Sequence, residues 1–391
     1  MEKKSSVKTV MISAGEASGD FHGARLVQAI RGADPQVSFF GMGGKHMEEA
    51  GVRLISRITD MAVVGLTEVL SHLKTIHVTM RAMKKALLTY RPELVILIDY
   101  PDFHLPLAKA AKRLGLKVMY YISPQVWAWR RGRLKSIKRF VDHMVVILPF
   151  EEAIYRKAGI PCTFVGHPLL EVAQINHDKE QAKKLFSLNN KSPVIALLPG
   201  SRKKEVERIL PIMLKATFLL KEYYPNVAFI LPRAETLDNS LIQGIIDAHN
   251  ASVTVVPGKD IYSAIKASDF AVVTSGTATL DTALMETPMC IVYRVSFLTS
   301  LIGRLLIKVR HIGLVNIIAG KEIVPELVQE NCTSKRIAET VMSILDEPDR
   351  VLEIRNELKK IRDKLGMTGA SRKAATLALE MMTHGNIQTT P

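Results

Sequence analysis

The chain has 391 residues, 47% hydrophobic and 23% charged, which is more than one comfortable core holds and too apolar for a disordered protein, so two domains are expected. Cys162, Cys290 and Cys332 are widely spaced and form no Cys-x-x-Cys pair, which argues against both a disulfide framework and a zinc site. The excess of 53 Lys and Arg over 38 Asp and Glu gives a net charge of +15; it calls for polyanionic partners, but charge alone does not separate nucleic acid, anionic lipid and sugar nucleotides.

Short β-branched runs at Val7–Ile12, Val37–Phe40, Leu94–Ile98, Lys117–Ile122 and Met144–Leu148 are separated by helix-length segments. This alternation predicts a parallel sheet covered by helices. A polar, charge-rich interval at 176–192 interrupts the rhythm and is the expected linker. Strand patterns restart at Val194–Leu198, Val227–Leu231, Val253–Val256, Phe270–Val273 and Cys290–Tyr293, and from Ser334 the pattern is only helical. The expected fold class is α/β with two Rossmann-like domains, 1–175 and 176–366, and a last helix within 367–385 that can complete the first. The apolar stretch at Val7–Ile12 is too short for a signal-peptide core, and no run approaches the roughly 18 apolar residues of a spanning helix.

In doubly wound sheets ligands bind beyond the carboxyl ends of the strands, and the informative residues fall there. The first strand leads into Ser13-Ala14-Gly15-Glu16-Ala17-Ser18-Gly19-Asp20, a glycine-containing turn opening a helix, which suits either a ligand or a capped turn. It has neither the G-x-G-x-x-G nor the Walker spacing. Asp99 ends the apolar run Leu94–Ile98, where a carboxylate at the mouth of an apolar pocket can accept a proton from a hydroxyl. The competing reading is that Asp99 or Asp102 caps the next helix, with Asp102 better suited to the cap. Ser123-Pro124-Gln125-Val126-Trp127-Ala128-Trp129-Arg130-Arg131-Gly132-Arg133 places both tryptophans beside three arginines. Such a segment grips a sugar, phosphate or base, or else forms a packed helix start with a solvated basic face.

In the second half, Pro199-Gly200-Ser201-Arg202 precedes a helical run, an anion site in which Arg202 can clamp a phosphate. Ser275-Gly276-Thr277-Ala278-Thr279-Leu280-Asp281 repeats the arrangement, with Asp281 able to bind ribose hydroxyls or merely to sit favourably near a helix start. Two phosphate-type loops in one half make a nucleotide diphosphate the leading ligand. No Asp-x-Asp triplet is present, so no metal site is expected and arginine with helix dipoles must stabilise a departing diphosphate.

Taken in order, Gly15-Glu16-Ala17-Ser18-Gly19-Asp20, Ser123–Arg130, Val165-Gly166-His167-Pro168, Leu198-Pro199-Gly200-Ser201-Arg202 and Ser275–Leu280 resemble the lipid-A-disaccharide synthase family across essentially the whole chain. The resemblance implies a glycosyltransferase-B fold with an amino-terminal acceptor domain, a carboxyl-terminal donor domain and a cleft between them. It implies inverting transfer of 2,3-diacylglucosamine from its UDP derivative to 2,3-diacylglucosamine 1-phosphate, without cofactor, at the cytoplasmic face of the inner membrane of Gram-negative bacteria. Asp99 then matches the general base and Glu16 a second acidic active-site position. Gly200, Ser201, Arg202, Ser275, Gly276, Thr277, Asp281 and Asn316 match the donor site. Ser18, Gly19, Trp127, Arg130 and His167 match the acceptor side. Where the family is expected to carry Glu, this chain has Asp281, one methylene shorter.

Leu298, Leu301, Ile302 and Leu305 recur at helical spacing opposite Ser300, Arg304 and Lys308, a basic amphipathic pattern suited to an anionic membrane surface. The alternative is a helix packed on its own domain. Val63-Val64-Gly65-Leu66 with Val69, Leu70 and Leu73 is a second apolar candidate for acyl chains. Expected partners are thus the UDP-activated acylated sugar, the acylated sugar phosphate and a membrane surface, with assembly open between monomer and homodimer. A UDP-sugar 2-epimerase on the same fold is the nearest rival. Nucleic acid is not an expected partner, because no helix-turn-helix, RNP or zinc-finger pattern accompanies the charge.

Overall fold

Two parallel sheets organise the chain in this computed structural model, which describes residues 8–58, 68–127, 132–173, 178–295 and 310–383, the side chains of 68–74 excepted. One unit runs to Pro168 and resumes at Gly366; the other spans Leu169–Leu365.

The first unit contains β1 (Thr9–Ala14), α1 (Ala17–Ala33), β2 (Ser38–Gly43), α2 (Lys45–Glu49), β3 (Val52–Arg57), α3 (Glu68–Tyr90) and β4 (Leu94–Ile98). It continues with α4 (Pro101–Arg113), β5 (Lys117–Tyr121), α5 (Arg133–Phe140), β6 (His143–Val146), α6 (Glu151–Lys157) and β7 (Cys162–Phe164). The sheet order is β3-β2-β1-β4-β5-β6-β7. Every residue of β4 is buried, as a central strand covered on both faces requires.

The second unit holds α7 (Leu169–Val172), α8 (Lys179–Leu185), β8 (Val194–Leu198), α9 (Lys203–Tyr223), β9 (Ala228–Arg233), α10 (Asn239–Ala248), β10 (Thr254–Pro257) and α11 (Ile261–Ala267). After β11 (Phe270–Thr274), α12 (Ala278–Leu284) and β12 (Met289–Tyr293) come α13 (Leu314–Ala319), β13 (Glu326–Val328), α14 (Ser334–Leu345) and α15 (Pro348–Lys364). Its sheet runs β10-β9-β8-β11-β12-β13. The last helix, α16 (Ala370–Thr383), belongs to the first unit, where it packs on α1. Lys117 Nζ donates to the Met381 carbonyl at 2.5 Å.

Each strand expected from sequence is present within three residues of its limits. Three further strands, β3, β7 and β13, lie at sheet edges; β7 and β13 are three residues long, and β3 is mostly half-exposed, so none carries a continuous apolar run.

The interval 176–192, expected as a linker, instead carries α8, and its charges are used structurally. Asp178 and Gln181 form a reciprocal capping box at 2.8 and 3.1 Å. Lys179 and Lys183 pair with Asp269, which also accepts the Val194 N–H at 2.7 Å and so ties α8 to β8. All three cysteines are buried and free. No described helix is long and apolar enough to cross a membrane.

Candidate active site

In both units the candidate loops leave the sheet where strand order reverses, the position at which doubly wound sheets open a ligand crevice. In the first, β1 pairs with β4 and Ala14 faces Ile98, so Gly15-Glu16 and Asp99-Tyr100 emerge side by side. Glycine is required at 15, because a Cβ there would lie 2.2 Å from Cδ1 of Tyr100. The tyrosine ring lies directly against that backbone.

Asp99 and Tyr100 are half-buried and both left-handed, with φ of +48° and +47°, a conformation costing roughly 1 kcal/mol or more per non-glycine residue. The Asp99 carbonyl accepts two hydrogen bonds, from His104 Nδ1 at 2.7 Å and from the Tyr120 hydroxyl at 2.5 Å. Because a carbonyl only accepts, Nδ1 carries the imidazole proton. Nε2 therefore accepts from the Ser13 hydroxyl, 2.9 Å away. Burial pushes the His104 pKa down to about 4, so the ring is neutral near pH 7. Burial and then the Asp99 charge push the Tyr120 phenol upward.

Glu16 is exposed at the amino-terminal cap of α1 but makes no side-chain capping bond. Burial, then the charges of Glu16 and Asp102, raise the Tyr100 pKa, so these groups form one acidic neighbourhood. Ser18 is exposed on the first turn of α1, and Gly19 is buried. Asp20 faces inward, accepting from the N–H groups of Gly44, His46 and Met47 at 2.6, 3.0 and 3.1 Å. It therefore caps α2. The competing reading, a cap by Asp99 or Asp102, is not what forms: the α4 cap position is Tyr100, with no side-chain bond, and Asp102 pairs with Arg133 at 2.5 Å.

The loop after β5 is anchored by Glu151, a residue that sequence reading did not select because Glu151-Glu152 reads as ordinary first-turn charge on a helix. Its Oε1 accepts from Ser123 Oγ at 2.6 Å and Trp127 Nε1 at 3.2 Å, and its Oε2 from Leu148 N at 3.2 Å. Glu151 is 2% exposed, and burial raises its pKa to about 7 against these hydrogen bonds. Trp127 is half-buried and packs edge-on against Phe150, 5.1 Å between centroids. Arg130 lies outside the described residues. His167 is 3% exposed; burial, then the neighbouring His22, lowers its pKa to about 3, which makes it a neutral interior residue rather than an exposed ligand.

In the second unit β8 pairs with β11, Leu198 facing Val273, which brings Gly200–Arg202 beside Ser275–Thr277. Gly200 has φ +109°, and a Cβ there would meet Glu205 Oε2 at 2.1 Å. Arg202 is exposed at the amino-terminal cap of α9. The N–H groups of Ser201 and Arg202 donate to the Glu205 carboxylate, whose pKa burial raises. The amides expected to be open for a phosphate are thus engaged by the chain's own carboxylate. Gly276 and Thr277 are exposed, while Ser275 Oγ donates to the Ile312 carbonyl at 2.9 Å. Next to that pair in sequence, Thr274 Oγ1 and His311 Nε2 are buried polar atoms with no hydrogen-bond partner among the described residues.

Two expected donor contacts are turned inward. Asp281 is 8% exposed and accepts from the Tyr262 hydroxyl at 2.9 Å; burial raises its pKa to about 7. Asn316 is fully buried. Its Nδ2 donates to Val324 O and Glu326 Oε1, both at 2.8 Å. Its Oδ1 accepts from the Ile323 and Val324 N–H groups at 2.8 and 3.2 Å. Glu326 in turn accepts from Ile312 N and Gly313 N at 2.8 and 3.0 Å, so Asn316 supports the segment that holds Ser275. Leu298, Leu301, Ile302 and Leu305, together with Val63–Leu66, lie outside the described residues, as do the side chains of Val69, Leu70 and Leu73.

Among solved structures the chain is similar to a UDP-GlcNAc 2-epimerase from Neisseria meningitidis (13% identity, 95% of this chain and 100% of that one, TM-score 0.66). It is also similar to a UGT transferase from Siraitia grosvenorii (11%, 96% and 100%, TM-score 0.60). At such identities the likeness establishes the two-domain Rossmann-like fold alone. Sequence relatives are far closer. A lipid-A-disaccharide synthase of Syntrophus aciditrophicus is 52% identical over 96% of this chain and 98% of its own. Those of Geobacter metallireducens and Myxococcus xanthus are 46% and 41% identical, over 96% and 97% of this chain and 97% and 98% of theirs. The family pattern described as Lipid-A-disaccharide synthetase matches residues 10–381, and the chain belongs to the lipid-A-disaccharide synthase family.

Proposed function

We propose that this glycosyltransferase moves 2,3-diacylglucosamine from UDP-2,3-diacylglucosamine to the 6-hydroxyl of 2,3-diacylglucosamine 1-phosphate, giving the β-1,6-linked disaccharide 1-phosphate and UDP. The observation that carries the reading is the placement of a carboxylate loop, Asp99, and an arginine loop, Arg202, each at the strand-order reversal of its own sheet.

Asp99 acts as the base that takes the 6-hydroxyl proton while the oxygen attacks the anomeric carbon opposite UDP, so a single displacement inverts the configuration. Glu16 keeps the acceptor side acidic beside Tyr100. Arg202, Gly200 and Ser201 receive the diphosphate at the start of α9, where the helix dipole and guanidinium offset charge building on the leaving group. For the diphosphate to reach the Ser201 and Arg202 amides it displaces Glu205 from them. Ser275, Gly276 and Thr277 form the second wall of the donor loop, supported from the interior by Asn316 and Asp281. Ser18, Gly19, Trp127 and Arg130 belong to the acceptor side, and His167 serves it from within the fold.

Both substrates carry acyl chains, and the charge of +15 and the basic amphipathic pattern around Leu301 suit an anionic lipid surface. We place the enzyme peripherally on the cytoplasmic face of the inner membrane. Mass spectrometry of the product formed from the two acylated sugars tests the reaction. A disaccharide 1-phosphate with stoichiometric UDP supports it; conversion of water-soluble UDP-N-acetylglucosamine alone, with no disaccharide, would establish the epimerase reading instead.

A further inference from the structure

We propose that His104 and Tyr120 are positioning residues that set the aim of the Asp99 carboxylate by clamping the left-handed backbone from which it projects. The proposal rests on the reading of Asp99 as the base and adds what holds that base in place.

Two consecutive non-glycine residues at φ +48° and +47° form a conformation that an unconstrained chain leaves, so surrounding bonds must over-determine it. The direction of a Cα–Cβ bond follows from φ and ψ, and relaxation of Asp99 to an ordinary conformation swings its side chain away. Two buried donors that oppose relaxation meet on one atom. The Asp99 carbonyl receives His104 Nδ1 at 2.7 Å from α4 and the Tyr120 hydroxyl at 2.5 Å from β5. Both donors are fully buried at 0% exposure, so water does not replace them when they are removed.

The clamp is itself fixed. Ser13 at the end of β1 occupies Nε2 of His104 at 2.9 Å and thereby holds the tautomer that places the proton on Nδ1. The Tyr100 ring packs over Gly15 with no space for a Cβ. The Asp99 N–H is directed to the carbonyls of Tyr121 and Ile122 at 3.3 and 3.2 Å. Strands β1, β4 and β5 and helix α4 therefore converge on the backbone around Asp99.

A purpose limited to stability would not require strain at this residue. Asparagine places its amide close to Nδ1 of histidine, and glutamine places its terminal group close to Nε2, which separates the two functions of His104. Steady-state kinetics on the full-length enzyme with both acylated substrates, with UDP affinity from calorimetry, read the outcome. Tyr120→Phe and His104→Gln, which each delete one donor to the Asp99 carbonyl, lower kcat roughly 10- to 100-fold with KM and UDP affinity little changed. His104→Asn, which keeps the donor, recovers most of that loss. In an Asp99→Asn background neither donor deletion lowers turnover further, because the group they aim is already gone.

Unchanged kcat in Tyr120→Phe and His104→Gln, alongside a large loss in Asp99→Asn, would overturn the positioning role and leave the base in place. Full additivity with Asp99→Asn would likewise overturn it, reducing the clamp to structure. Near-full turnover of Asp99→Asn would defeat the reading of the base itself. If His104→Gln does not fold, Tyr120→Phe decides, since it removes one oxygen and keeps the ring packing.

Discussion

Replacing Glu151 by Gln should flatten the pH dependence of stability of the unit that contains it. Glu151 is buried, and its pKa is raised from 4.5 to about 7, so the folded chain holds this proton more tightly than the unfolded chain does. The resulting stabilisation is fully present below pH 4.5, where both states are protonated, and is lost as pH rises through about 7. A shift of this size corresponds to about 3 kcal/mol across that window at ~1.4 kcal/mol per pKa unit. Gln resembles the protonated acid but does not ionise. Urea unfolding followed by tryptophan fluorescence, at half-unit steps from pH 5 to pH 8, measures the two slopes. Relative to the variant, the wild type should lose about 2.5 kcal/mol over the range. Parallel curves would mean that Glu151 titrates like an exposed carboxylate, and the case for a desolvated anchor under Ser123 and Trp127 would fail.

Arg202→Ala should weaken UDP binding and slow transfer together, because a phosphate clamp acts on ground state and transition state alike; unchanged affinity by calorimetry would reduce Arg202 to a surface residue at the start of α9. Gly15→Ala should cost about 1–3 kcal/mol by overpacking and depress turnover, since the new methyl displaces the Tyr100 ring beside Asp99; an unaltered melting temperature would show that the ring moves freely. The protein should sediment with anionic vesicles and be released by salt. Substituting Ser for Leu301, Ile302 and Leu305 should reduce that binding without lowering the melting temperature, and a large loss of stability with binding intact would assign these residues to the core.

The central strands and the loops after them were legible because both signals are local. Leu94–Ile98 is a continuous apolar run bounded by Asp99, and Gly200 sits where a positive φ follows a strand. The pairing of β1 with β4 and of β8 with β11, which the structure supplies, then places Gly15 beside Asp99 and Gly200 beside Ser275. The edge strands β3, β7 and β13 were not legible, because β7 and β13 are three residues long and β3 is mostly half-exposed. Charge was misread at 176–192, where Lys179 and Lys183 find a partner 90 and 86 residues away in Asp269. The supports of the site were hidden for the same reason. His104 and Tyr120 meet at the Asp99 carbonyl through backbone geometry that no spacing encodes. Asn316 and Asp281 carry the residue types of ligands, yet their bonds run inward to Glu326 and Tyr262.

Turnover of Asp99→Asn tests the central claim most directly, because the change keeps nearly the same shape and removes only the basic carboxylate. With both acylated sugars saturating, kcat should fall by roughly two to four orders of magnitude, while calorimetry finds UDP affinity unchanged. A variant that binds UDP normally and turns over at close to the wild-type rate would contradict the assignment of Asp99 as the base.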